Sequence, residues 1–205
     1  MKRIGIFAAL SVTLATLWGS TAWSDDAIAV AKGSVTPGDG QSVTFKGNPL
    51  PLTGNPIKVG EPLPASTLTG GNMAPVNIAQ PTGKVRIISV VPSLDTPTCD
   101  AQTHELSEKD PALANNIEMV TISMDLPFAQ SRWARAAKVK NMTFLSDYKA
   151  AEFGTSTGLL IVPLHLLARS VIVTDKDGVV RYIQVVPEIT ELPDMQAAIA
   201  AAKGL

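Results

Sequence analysis

Cysteine and histidine are nearly missing from this chain: 205 residues contain one Cys, Cys99, and two His, His104 and His165. One thiol cannot form a disulfide within the chain, so neither a disulfide scaffold nor an internal dithiol pair is available. One cysteine and two histidines also give no metal-ligand spacing, so no bound metal or other cofactor is expected. An excess of one charge is absent too. The 17 Lys and Arg balance 18 Asp and Glu for a net charge of −1, and the signs are mixed along the chain. That argues against a nucleic-acid or anionic-membrane partner. Beyond the first residues there is no second apolar run long enough to span a bilayer. There is also no internal repeat and no low-complexity segment.

The amino terminus, by contrast, is strongly patterned. Lys2 and Arg3 precede an apolar run from Ile4 to Trp18, followed by Gly19, Ser20 and Thr21, then Ala22-Trp23-Ser24 and Asp25-Asp26. A positive start, an apolar middle and small residues before a cut after Ser24 are the layout of a secretory signal peptide at 1–24. A membrane anchor is the alternative, but the run is shorter than the roughly 20 apolar residues a spanning helix needs. No cysteine follows it to carry a lipid. A lone cysteine in an exported protein is a candidate reactive thiol or intermolecular bond.

After the leader, residues 25–41 are small, polar and Gly/Pro-containing and read as a flexible lead-in to one domain at 42–205. Val43 to Phe45, a Lys46-Gly47-Asn48-Pro49 turn and Leu50 to Leu52 predict an N-terminal β-hairpin. Met73 to Ile78 is a further strand candidate. The β-branched runs Val85–Val91 and Ile117–Met124 suit strands buried on both faces. Helical stretches follow each, from Pro97 to about Lys109, closed by Asp110-Pro111, and from Pro127 to about Lys138. Phe144 to Ser146 is a short strand. Ser170–Thr174 and Val179–Val185 flank an Asp175-Lys176-Asp177-Gly178 hairpin turn, and an Ala-rich helix opens near Glu191 to Asp194. This order predicts an α/β thioredoxin-like fold, a central mixed β-sheet flanked by helices.

The segment Val91-Pro92-Ser93-Leu94-Asp95-Thr96-Pro97-Thr98-Cys99 joins a strand to a helix. Thr96 suits the N-cap and Pro97 the first helical position, which places Cys99 in the first turn. There the unpaired N–H groups and the helix dipole favour a thiolate. The Thr96 hydroxyl is placed to accept from a backbone N–H and to donate to the sulfur. The same position also suits a small buried hydrophobe, which is what most single cysteines are.

Pro92, Thr96 and Cys99 match the Pro-x-x-x-Thr-x-x-Cys signature of peroxiredoxins. The string Pro-Ser-Leu-Asp-Thr-Pro-Thr-Cys resembles the version found in the bacterial thiol peroxidase subfamily. Asp125–Arg132, Ala168–Val173, Phe45–Pro49 and Glu188-Ile189-Thr190 with Pro193-Asp194 are similar to further stretches of that subfamily, from about Val43 to the C-terminus. The resemblance implies that Cys99 attacks peroxide and becomes a sulfenic acid, and that Thr96 hydrogen-bonds thiolate and substrate. It further implies that Pro92 shields the sulfur and that Arg169 stabilises the thiolate and the leaving oxygen. Taken alone, Arg169 before a Val-Ile-Val strand also fits a surface salt bridge.

The subfamily usually carries its resolving cysteine just after Gln-Ser-Arg; here Ser131-Arg132-Trp133 leads to Ala134. The resemblance therefore implies a one-cysteine peroxidase of hydrogen peroxide and organic hydroperoxides. Its reductant is an external thiol: glutathione, a glutaredoxin or a thioredoxin-like protein. The signal-peptide pattern implies a periplasmic location, and the resemblance implies a homodimer. A peroxide sensor or relay passing oxidation from Cys99 to a partner is the second reading. His104, five residues beyond Cys99, points away from the sulfur on a helix and is expected at the surface. His165 lies near Arg169 in sequence without a clear role. Met119, Met124 and Met142 are expected in the core.

Overall fold

The computed structural model describes residues 27–108 and 113–205. The leader at 1–24 and the Asp110-Pro111 helix stop lie outside the described residues. Along the chain come β1 (Ser42–Phe45), β2 (Asn48–Thr53), β3 (Thr67–Gly70), β4 (Pro75–Asn77), β5 (Val85–Val90), α1 (Pro97–Glu108) and α2 (Leu113–Asn116). Then follow β6 (Ile117–Ser123), α3 (Pro127–Ala136), β7 (Thr143–Ser146), α4 (Glu152–Thr157), β8 (Leu160–Ile161) and β9 (Leu166–Leu167). β10 (Ser170–Thr174), β11 (Val180–Val185) and α5 (Met195–Lys203) complete the domain.

A seven-stranded sheet in the order β11-β10-β5-β6-β7-β3-β4 forms the centre, and a four-stranded sheet β1-β2-β8-β9 lies beside it. The β5–β6 and β6–β7 pairs are parallel and the other pairs antiparallel. The sheet is therefore mixed, and with helices packed on it the fold is thioredoxin-like.

The β-branched runs occupy the centre because they have an apolar layer to fill on each side. Val85, Ile87, Ile117, Met119, Val171 and Val173 face a layer shared with Leu106 of α1 and Met195, Ala198, Ile199 and Ala202 of α5. The alternate residues Ile88, Val90, Val120, Ile122 and Ile172 face the opposite layer, with Phe153, Leu159 and Ile161. Period-two alternation with both phases apolar is what a doubly covered strand requires. Met119 is buried, whereas Met124 and Met142 pack half-buried against these two layers.

Several boundaries depart from expectation. Helix α3 stops at Ala136 rather than Lys138, because Lys138 adopts the left-handed backbone with φ of +58°. Residues 27–41 are not a loose lead-in. Ala31 N–H donates to Leu192 C=O at 2.8 Å, Val35 N–H to Val185 C=O at 3.0 Å and Gly38 N–H to Gly158 C=O at 2.9 Å. Ala31 is buried. This polar segment lies along the domain because its backbone groups are paired, and side chains add to them: Gln184 Nε2 donates to Ala31 C=O and Gly33 C=O, and Ser34 Oγ accepts from Val185 N–H.

Gly54 is where the hairpin sheet meets α4. Its φ is +111°, and a Cβ there would stand 2.0 Å from the Thr155 carbonyl oxygen. Gly54→Ala should therefore cost about 3 kcal/mol or more through strain and overlap. A drop of roughly 6–12 °C in thermal midpoint is expected. An unchanged midpoint by calorimetry would show that the contact relaxes freely.

Candidate active site

Strand β5 runs straight into the turn that launches α1, and Asp125 shapes that turn. Its carboxylate accepts from Ser93 Oγ at 2.7 Å, Leu94 N–H at 2.8 Å and Ser123 Oγ at 2.8 Å. Because Ser123 ends β6, this carboxylate joins the carboxyl ends of two neighbouring parallel strands. Pro92 is buried in this turn, and Val91 and Leu94 are buried with Cys99 and Trp133 in a small apolar cluster.

Helix α1 buries one stripe, Cys99, Gln102, Thr103 and Leu106, the i, i+3, i+4, i+7 spacing of a single face. Cys99 lies in the first turn as expected and is fully buried, with 0% of its surface exposed. Thr96 takes the N-cap role only through its backbone, its C=O accepting from Asp100 N–H at 2.9 Å. Its side chain departs from expectation. The exposed hydroxyl donates to the Ser93 C=O at 3.1 Å rather than meeting the sulfur or a helix N–H. The reason is local: the Thr96 N–H bonds the same carbonyl at 3.2 Å, closing a tight turn that draws the hydroxyl along.

Arg169 reaches the sulfur from the neighbouring strand. Ser170 pairs with Val90 across the antiparallel β10–β5 ladder, which sets Arg169 beside the end of β5 where α1 begins. The side chain is 2% exposed, so a surface salt bridge is ruled out. Its Nη2 lies 3.3 Å from Cys99 Sγ, its Nη1 donates to Gln102 Oε1 at 2.8 Å and its Nε donates to Ile189 C=O at 2.8 Å. Among the described residues no carboxylate lies within ion-pair distance of Arg169. A buried cation without a carboxylate is costly, and the side chain that faces this guanidinium in place of one is Cys99.

Gln102 was not singled out in the sequence. It is fully buried, and its Nε2 donates to Ser89 Oγ at 2.8 Å and to Ser170 C=O at 3.3 Å, leaving Oε1 for Arg169. The signal was present in its spacing, since a residue three after Cys99 shares the helix face of the sulfur.

On the other side, Trp133 of α3 donates from Nε1 to Asp100 Oδ1 at 3.0 Å and packs at an angle to Phe144. Ala134, half-buried, packs against the Cys99 cluster. His104 is partly exposed, with Nδ1 2.9 Å from Glu108 and Nε2 3.8 Å from Asp100. His165 is exposed in the turn between β8 and β9. Neither histidine is drawn to the sulfur. Among the described residues no group of three or more His, Cys, Asp or Glu is placed to hold a metal, and no helix is long and apolar enough to cross a membrane.

The last wall is the segment after β11. Burial pushes the Glu188 carboxyl up, but hydrogen bonds from Gly47 N–H, the Thr190 hydroxyl, Lys46 N–H and the Thr44 hydroxyl outweigh it, holding its pKa down to about 2.

Residues 58–199 match the redoxin family model. The chain is similar to the thiol peroxidase of Halalkalibacterium halodurans, 46% identical over 162 residues, 79% of this chain and 97% of that protein. It is also 44% identical over 163 residues to the thiol peroxidase of Bacillus subtilis, covering 80% of this chain and 97% of that one. A crystal structure of a peroxiredoxin-like protein from Aquifex aeolicus superposes with a TM-score of 0.75 at 34% identity. It covers 82% of this chain and 98% of its own.

Proposed function

The chain belongs to the redoxin family, as a peroxiredoxin of the bacterial thiol peroxidase group, and from that premise we propose that it reduces hydroperoxides with Cys99 as its nucleophile. The observation that carries this is the buried Arg169 guanidinium 3.3 Å from the only sulfur of a cysteine in the chain. The Cys99 thiolate attacks the terminal oxygen of ROOH, an S–O bond forms as the O–O bond breaks, and RO⁻ leaves to take a proton. Arg169 meets the charge that develops on the leaving oxygen. Thr96 joins by exchanging its exposed bond to Ser93 for a bond to a peroxide oxygen. Pro92, buried in the same turn, keeps water from the sulfur.

Regeneration needs a second molecule, because Cys99 is the only cysteine. An external thiol attacks the sulfenic acid, releasing water and leaving a mixed disulfide, and a second thiol frees Cys99. Since the sulfur is fully buried, the first turn of α1 has to move for a bulky thiol to reach it. Glutathione, a glutaredoxin or a thioredoxin-like protein fits this role. The pattern of residues 2–24 supports export to the periplasm. Exposed Leu126 and Phe128, beside Asp125, support pairing as a homodimer through this face.

The chain without residues 1–24 should consume hydrogen peroxide steadily when one of those thiol systems is supplied. Failure of one equivalent of peroxide to oxidise Cys99 would end the peroxidase reading. Fast oxidation that no thiol turns over would favour a redox relay.

A further inference from the structure

The mechanism leaves Glu188 unused, although it gathers more hydrogen-bond donors than any residue at the catalytic centre. Its Oε1 accepts from Lys46 N–H at 3.0 Å, Thr190 N–H at 3.2 Å and Thr190 Oγ1 at 2.8 Å. Its Oε2 accepts from Gly47 N–H at 3.0 Å and Thr44 Oγ1 at 2.9 Å. The β1–β2 turn is built to supply two of these. Lys46 and Gly47 both have positive φ, +50° and +79°, so two successive N–H groups face one anion.

Glu188 thereby fastens a segment whose next two carbonyls serve the active site. Ile189 C=O takes Arg169 Nε at 2.8 Å, and Thr190 C=O takes Thr98 Oγ1, next to Cys99, at 3.4 Å. The backbone reinforces the same junction: Thr44 N–H donates to Pro187 C=O at 2.7 Å and Ile189 N–H to Thr44 C=O at 2.9 Å.

We propose that Glu188 is a positioning residue for peroxide reduction, fixing through the Ile189 carbonyl the angle at which the Arg169 guanidinium meets Cys99 and the leaving oxygen. The N-terminal hairpin is then part of the active site's frame, although none of its residues touches the sulfur. The depressed Glu188 carboxyl is consistent with this, since an anion held by five donors stays charged across the working pH range. A guanidinium swung by a fraction of an ångström loses overlap with the developing charge while the fold survives.

This rests on the peroxidase reading above, and a double-mutant cycle separates the two. The second-order rate constant of Cys99 oxidation by hydrogen peroxide is measured in the unmutated chain, Glu188→Gln, Arg169→Lys and the double variant, alongside thermal midpoints. A carboxamide turns an NH2 toward donors on one side, so Glu188→Gln should slow oxidation roughly tenfold. In the Arg169→Lys background it should slow it by less than about twofold, because the fork it positions is gone. Thr190→Val, which removes one donor, should slow oxidation about threefold and carries the test if Glu188→Gln fails to fold. Equal factors in both backgrounds, or a lowered midpoint with an unchanged rate, would overturn the positioning role while leaving the peroxidase reading intact. No oxidation in the unmutated chain would remove both.

Discussion

Cys99→Ser is expected to abolish peroxide consumption altogether while leaving the fold in place. A serine hydroxyl is not ionised near neutral pH and is a far poorer nucleophile toward an O–O bond than a thiolate. No other cysteine can substitute. The fold should persist because the site around Cys99 is an apolar cluster with Val91, Leu94 and Trp133, and the new hydroxyl takes the place of a sulfur facing Arg169. The cost is one buried atom exchange, about 1 kcal/mol. Peroxide loss followed by ultraviolet absorbance, with circular dichroism as the control for folding, checks both halves. Residual consumption above the uncatalysed background in a folded Cys99→Ser protein would remove Cys99 from the centre of the mechanism.

The second large effect belongs to Arg169. Its three contacts, to Cys99 Sγ, Gln102 Oε1 and Ile189 C=O, use the planar fork of a guanidinium in three directions at once. A lysine ammonium keeps the charge but cannot reproduce that fork. Arg169→Lys should therefore slow Cys99 oxidation roughly 100-fold, the scale of losing one preorganised donor to developing charge. Arg169→Gln removes the charge as well and should be slower still. In both, buried partners at Gln102 and Ile189 are left short of a donor, so a loss of about 1–3 kcal/mol in stability accompanies the kinetic effect. Stopped-flow oxidation and denaturant unfolding on the same samples separate the two. A rate constant within a few-fold of the unmutated chain would mean that Arg169 only props the fold.

Much of this geometry was legible before the structure. The strands β5, β6 and β10 announce themselves because burial on both faces demands runs dominated by β-branched apolar residues, broken here only by single polar residues such as Arg86, Ser89 and Glu118. The start of α1 was readable from Thr96 and Pro97, which placed Cys99 in the first turn. Missed elements are short ones: β3, α2, α4 and the two-residue strands β8 and β9. They are set by long-range packing rather than by their own periodicity, as Phe153 of α4 shows by being fully buried against the main layer. The same limit applies within the site. The Thr96 hydroxyl turned to Ser93, because a sequence does not reveal which of two nearby acceptors a rotamer selects. Gln102 carried a usable spacing signal. Glu188 stood out only as part of a stretch resembling the subfamily, and its role was not legible because three of its five donors, on Thr44, Lys46 and Gly47, lie more than 140 residues earlier in the chain, where only the folded topology brings them together.

In the proposed cycle Cys99 alone takes the peroxide oxygen and then waits for an outside thiol. Mass spectrometry of the intact chain after one equivalent of hydrogen peroxide, trapped with a sulfenic-acid reagent or with glutathione, tests it directly. The predicted result is one trapped adduct on Cys99, replaced by a single glutathione mixed disulfide when glutathione is present and reversed by excess thiol. An unmodified Cys99 after peroxide, in a protein shown to be folded, would rule out that cycle.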